Sequence, residues 1–226
     1  MQYRLDLQNA LDSTENFIVF QAPPSAGGQV FVQTNVLANC QIGPGEIVTL
    51  AITAQPFACA QMRTSPLEFG QVSGGAITSM PINLTEIPFL AGNSTALTVD
   101  PLGFSPAIPT DNVCIGAFLV ASPAQVAEPI NLGVGYSIEC GNDSTIVLSG
   151  YWLAQPNQVI ECEPAPVFYV AAAGGSSGFP PEGFVPGAVI DFAGVVTGAQ
   201  ICDFSRFPMF TVIRNSGWVL LPSEQN

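Results

Sequence analysis

The stretch from Tyr151 to Arg214 limits this chain most. It reads YWLAQPNQVIECEPAPVFYVAAAGG, crosses a Gly/Pro-rich segment, and resumes as FVPGAVIDFAGVVTGAQICDF and then FTVIR. Its four apolar, β-branched runs are cut apart by Pro, Gly and Asn. Pro removes a backbone donor and Gly favours turns, so runs this short read as antiparallel strands joined by turns.

The same grammar starts at the N-terminus. Tyr3 to Leu7 alternates, and residues 9–16 form a polar turn. Phe17 to Gln21 is a continuous apolar strand, which predicts cover on both faces. Val30 to Asn35 alternates again. Gly43-Pro44-Gly45 is a strong turn before a strand from Glu46 to Thr53, and Phe57 to Arg63 returns after Pro56. Between Thr64 and Thr110 Pro81, Pro88, Pro101, Pro106 and Pro109 exclude long central strands, leaving short candidates at Gly75–Met80 and Ala96–Val99. Asn112 to Ala121 reads as a buried strand. Ser122 to Glu128 is the one helical-turn candidate, with Ser122 as N-cap and Pro123 at the first helical position. Gly133–Glu139 and Ser144–Ala154 pair as a hairpin around Gly141-Asn142. The reading is all-β: one antiparallel β-sandwich-like domain spanning residues 1–226, with at most one or two short helical turns.

Charge excludes more than it assigns. The chain has 17 acidic residues and four basic ones, all arginine, for a net charge of −13. Such a surface repels phosphate backbones and anionic membranes, so no nucleic-acid partner is expected. No run of ~18 apolar residues occurs, so no membrane-spanning helix is expected. Only 9% of residues are charged while 48% are hydrophobic, so the negative charge has to keep an apolar chain in solution. The N-terminus lacks the apolar core of a signal peptide, which points to cytoplasmic synthesis or a leader outside this sequence. A lysine-free surface also suits an extracellular or cell-surface setting, the localisation favoured.

Six cysteines, Cys40, Cys59, Cys114, Cys140, Cys162 and Cys202, are spread along the chain, with Cys59, Cys114 and Cys202 beside apolar residues. They read either as small buried hydrophobes or as disulfides of an oxidising compartment. No C-x-x-C and no His are present, so no metal site is expected. Three N-x-[ST] sequons, at Asn83, Asn93 and Asn142, fall in expected turns and mark candidate glycosylation sites.

Several phrases resemble the RhiA-like (rhizosphere-expressed) proteins. Tyr3-Arg-Leu-Asp-Leu-Gln-Asn9 followed by Asn16-Phe-Ile-Val-Phe-Gln21 is similar to that family's opening strand, Asn-rich turn and N-F-x-V-[YF]-Q strand. Gly133-Val-Gly-Tyr136 resembles its V-G-I-G-M segment, Ala154-Gln-Pro-Asn-Gln158 its A-Q-P-N motif and Pro166-Val-Phe-Tyr-Val170 its P-x-Y-W-[IV]. Phe184 to Asp191 resembles F-x-P-G-x-V-[IL]-D, and Phe210 to Trp218 its closing strand and final Trp. The segment from Phe57 to Thr110 departs from the pattern, and the six cysteines have no counterpart in it. The resemblance implies a fold; the family has no established activity and no functional residues to carry over.

Chemistry narrows by elimination. Without His there is no Ser-His-Asp or Cys-His constellation, and without Lys no Schiff-base, Ser-Lys or P-loop chemistry. No dinucleotide fingerprint lies between a strand and a helix, so no cofactor is expected. Carboxylates remain, with Glu161, Glu163, Glu182, Asp191 and Asp203 in the C-terminal half; a glycosidase pair is the least favoured reading. Tyr151, Trp152 and Trp218 are the candidates for stacking on sugar rings, with core packing as the plain alternative, and Phe179-Pro-Pro-Glu-Gly-Phe184 reads either as a rigid interaction loop or as a well-packed surface loop. The reading favoured is a non-enzymatic, self-associating structural protein, because few charges and many apolar residues suit packing against copies of itself. A carbohydrate-binding module comes second.

Overall fold

The computed structural model describes residues 1–27, 32–86, 92–111, 113–141, 143–173 and 184–224. In chain order the strands begin β1 (Gln2–Asn9), β2 (Glu15–Gln21), β3 (Ser25–Ala26), β4 (Gln33–Ile42), β5 (Ile47–Thr53), β6 (Phe57–Arg63), β7 (Gly74–Pro81), β8 (Ser94–Val99) and β9 (Leu102–Phe104). They continue with β10 (Phe118–Ala121), β11 (Ile130–Cys140), β12 (Asp143–Leu153), β13 (Val159–Glu163), β14 (Val167–Ala173) and β15 (Val189–Ile190). Helix α1 (Phe192–Val196) follows, then β16 (Gln200–Asp203), β17 (Met209–Arg214) and β18 (Trp218–Ser223).

The main sheet runs β16-β14-β2-β4-β12-β11-β5-β1-β17-β18, with β6 and β7 laid beside β11 and β15 beside β4. It curls into a nearly closed, sandwich-like barrel. A second sheet, β3-β13-β10-β8-β9, is built from the proline-rich middle of the chain and its partners. β1 pairs antiparallel with β5 and parallel with β17, Leu5 lying opposite Leu50 and Phe210, so the two ends of the chain are joined at one place in the wall.

The burial pattern follows from the apolar runs. Phe17 and Val19 point into the main core, whereas Ile18 and Phe20 point into a second cluster on the outer face. Both faces of β2 are therefore covered, as its unbroken apolar run requires. Phe184, Ala188, Ile190 and Val195 roof that outer face, so the segment from 184 to α1 is a lid on the sheet. A third cluster covers the far side of β12, where Cys59, Leu148 and Tyr151 pack together with Leu67 and Ile77 against them. Inside the barrel, Phe168 meets Tyr3, Tyr136 and Phe204 edge-on or tilted, with centroids 5.6–6.2 Å apart. Such aromatic pairs add to simple area burial.

The hairpin read at Gly141-Asn142 forms, with Cys140 opposite Asp143 and Gly141 at φ 66°; Asn142 lies outside the described residues. Gly133 makes the hairpin possible, because a Cβ there would stand 2.0 Å from the Gly150 carbonyl oxygen.

Two expectations are corrected. The run from Asn112 to Ala121 is a strand only from Phe118, because Gly116 turns the chain at φ 82°. Ser122 to Glu128 is not helical: the Ser122 amide donates to Gln158 and the Pro123 carbonyl accepts from Asn157, which ties this segment to a neighbouring turn. The helix falls at Phe192–Val196 instead, inside a run the β-branched pattern assigns to strand. Among the described residues, no helix is long and apolar enough to cross a membrane.

Candidate functional site

The aromatic residues expected to bind a ligand are mostly interior. Trp152 is 1% exposed and lies in the main core, and Tyr151 is 0% exposed on the opposite face of β12. Phe184 is buried in the roof of β2, with the ring of Phe69 edge-on to it at 5.1 Å. Trp218 is half-buried; the Arg214 guanidinium sits over its ring at 4.9 Å and Phe17 meets it at 6.0 Å. Phe179 lies outside the described residues. Tyr151, Trp152 and Phe184 therefore present no ring face to a glycan. In a chain this poor in charge, large aromatics are what fills the core.

Tyr151 instead ends a buried polar chain. Arg63 Nε donates to Asn131 Oδ1 at 2.8 Å, Asn131 Nδ2 donates to Ser73 Oγ at 3.0 Å, and Ser73 Oγ lies 3.4 Å from the Tyr151 hydroxyl. Burial pushes the Tyr151 phenol above its ordinary range, with Ser73 and Arg63 acting in the opposite direction. A second buried node is Gln21. Its Nε2 donates to the Tyr136 hydroxyl at 3.0 Å and the Ala165 carbonyl at 2.7 Å, and its Oε1 accepts from Ser149. Both nodes pin strands to one another and lie away from solvent.

The glycosylation candidates divide. Asn83 is exposed, but the Thr85 of its sequon is buried and donates to the Ala117 carbonyl. Asn93 is buried; its Nδ2 donates to Thr85 Oγ1 and the Thr110 carbonyl, and its Oδ1 accepts from the Thr110 amide. That amide is a structural clip between three segments and has no room for a sugar. Asn142 is outside the described residues.

All six cysteines are free thiols, with Cys40, Cys59, Cys162 and Cys202 buried and Cys114 and Cys140 exposed. Burial pushes the Cys40 and Cys202 thiols up to about 12 and raises those of Cys59 and Cys162 further. Cys114 bonds to Glu161, which raises its thiol as well. Among the described residues, no three His, Cys, Asp or Glu side chains converge as metal ligands would.

Glu161 and Glu163 share one face of β13, whereas Asp191 and Asp203 stand on other elements. Glu161 accepts from the Cys114 amide at 3.2 Å, Asp203 pairs with Arg206 at 3.3 Å, and Glu163 is exposed at the end of β13. Asp191 precedes α1 without a capping hydrogen bond, and Glu182 is outside the described residues. Asp191 does line a cleft of about 480 Å³ between the start of β4, the loop through Leu67 and Phe69, and the β15–α1 segment. Phe69 is 41% exposed there, and Gln33 and Thr34 lie on the same wall.

The remaining candidate surface is the end of the main sheet. Among the described residues β18 pairs with β17 alone, so one side of its backbone is an open edge. Its outward side chains include Val219, 38% exposed, and Leu221, 50% exposed, while Trp218 and Leu220 turn inward against the core. Ile201 is 48% exposed on β16 at the other end of the sheet. The sequence reading passes over Phe69, Val219 and Leu221, since a lone exposed apolar residue in a strand carries no pattern of its own.

These features define a class, an all-β protein built on a nearly closed sheet with apolar edge strands. No protein-family model matches the chain, and no curated protein and no solved structure matches it.

Proposed function

We propose that this chain is a non-enzymatic structural protein of RhiA-like type that self-associates, at or outside the cell surface, by adding strand β18 to a second copy of itself. The edge carries the reading: β18 ends the sheet with Val219 and Leu221 exposed. Natural edges are commonly blunted by lysine or inward-pointing charge, and this chain has no lysine at all. Pro222 lacks a backbone donor and limits added pairing to the Trp218–Leu221 half of the strand. The net charge of −13 opposes association, so salt screening strengthens it.

Light scattering after chromatography, at low and high salt over a range of protein concentration, tests this. The expected result is a defined oligomer whose population rises with salt and which Val219→Lys with Leu221→Lys converts to a folded monomer. An interface of this kind buries at least ~1,000 Å² in total. A wild-type monomer at every salt and concentration refutes the reading.

Carbohydrate binding is the second reading, and it rests on the cleft, not on the tryptophans. The exposed Phe69 ring lies there with Asp191 and Gln33, which supply the apolar face and the polar groups a pyranose needs. A glycan that raises the melting temperature of wild type but not of Phe69→Ala would favour it.

A further inference from the structure

We propose that the cleft between β4, the loop through Phe69 and β15 binds an amino sugar in its protonated, cationic form. The inference rests on the carbohydrate reading of that cleft, to which it adds the class of sugar, and it stands apart from self-association.

The walls of the cleft are tied together by backbone pairing. Thr34 lies opposite Ile190 and Asn35 opposite Val189, so β15 is fixed along β4. The Gly70 amide donates to the Val189 carbonyl at 2.9 Å, and the Val189 amide donates to the Gln71 carbonyl at 3.0 Å. Phe69 and Asp191 are thereby brought to one cleft from distant parts of the chain. The two rings on the wall are held by other aromatics. Phe69 meets Phe184 edge-on at 5.1 Å, and Phe192 meets Tyr169 and Phe20 edge-on at 5.3 and 6.0 Å. Side chains already held in place lose little freedom when a ligand arrives.

The polar groups of the cleft lack partners. The exposed Asp191 carboxylate makes no ion pair and no capping hydrogen bond among the described residues. Gly194 leaves it room, since a Cβ there would stand 2.8 Å from Asp191 Oδ2. Thr34 is 3% exposed, and its hydroxyl has no hydrogen-bond partner, an uncommon state for a buried polar atom. Gln33 adds an amide on the same wall. Among the described residues, no basic side chain lines the cleft.

These groups select the ligand. The Phe69 ring offers an apolar surface to the flat face of a pyranose, and Thr34 and Gln33 offer donors and acceptors to its hydroxyls. A carboxylate only accepts hydrogen bonds, and the strongest donor for one without a cation of its own is itself positively charged. An ammonium near two phenyl rings gains from their faces as well. The net charge of −13 draws such a cation in and turns acidic sugars away. A volume of about 480 Å³ suits a ligand of a few rings or fewer.

Calorimetric titration of the full chain with cellotriose, and with its glucosamine counterpart in which an amine replaces one hydroxyl of each ring, tests this. The titration runs at about pH 6, where a sugar amine is protonated, and in ~0.15 M salt, which screens distant charges. The expected result is that the glucosamine trimer binds about tenfold tighter, as a hydrogen bond to a charged group allows. Asp191→Asn brings it down to the affinity of cellotriose, and Phe69→Ala weakens both sugars. Equal binding of the two sugars to wild type, or tighter binding of cellotriose, overturns the amine proposal and leaves the carbohydrate reading standing. Binding of neither overturns both. A preference for the glucosamine trimer that survives Asp191→Asn also overturns the proposal, because it then comes from the overall charge and not from the cleft. Asp191 is exposed and caps nothing, so the asparagine variant keeps the fold.

Discussion

Replacing Gln21 with leucine should be among the most damaging near-isosteric changes available. The side chain is 0% exposed and holds three partners on different parts of the wall. Leucine fills a similar volume but strands the Tyr136 hydroxyl, the Ser149 hydroxyl and the Ala165 carbonyl without water. An orphaned buried polar group costs about 1–3 kcal/mol. Rotation of the two hydroxyls toward other acceptors recovers part of this, so the expected loss is ~3–5 kcal/mol. For a chain of this size that lowers Tm by ~6–20 °C. Urea denaturation followed by tryptophan fluorescence reads the change as a lower midpoint with an unchanged slope. The cycle is completed by Tyr136→Phe and Ser149→Ala, alone and with Gln21→Leu. The triple variant should lose less than the sum of the single losses, because removing all partners together leaves fewer orphans. A loss under ~1 kcal/mol for Gln21→Leu, or strict additivity, would refute the view that this node pins the wall.

Two further outcomes follow from packing and titration. Gly133→Ala places a Cβ against the Gly150 carbonyl and 2.6 Å from Tyr151 Cα, both backbone atoms, so β11 and β12 must separate; a loss of ~3 kcal/mol or failure to fold is expected. Gly75→Ala is the control, since its Cβ would meet only Thr64 Cγ2 at 4.0 Å, and it should change stability by less than ~0.5 kcal/mol. Reduced protein should also lose stability as pH rises above 9, the ordinary thiol value. The unfolded chain then ionises its cysteines while the folded chain keeps Cys40 and Cys202 protonated up to about 12. The native state thus holds more protons than the unfolded state, and stability falls through that window. Denaturation midpoints that stay flat between pH 8 and ~10.5 would contradict the burial of these thiols.

The sequence by itself determined the strand content, because alternation, β-branching and Pro/Gly punctuation act over a few residues. Phe57–Arg63 forms a strand over the very residues its pattern marks, and the Gly141 hairpin is where its turn residues place it. It also carried the double-sided burial of β2, since an unbroken apolar run has no polar face to turn to water. Local pattern failed where neighbours competed for the backbone. Ser122-Pro123 has helix-start chemistry, yet its backbone is taken by the turn at Asn157. The site residues depended on tertiary structure throughout. Whether Trp152 faces a ligand or the core depends on which face of β12 is covered, and a period-two pattern names no face when both are apolar. Asn93 reads as a surface sequon until three segments close around it. No local signal encodes such a meeting; it exists only because the fold brings Thr85, Asn93 and Thr110 together.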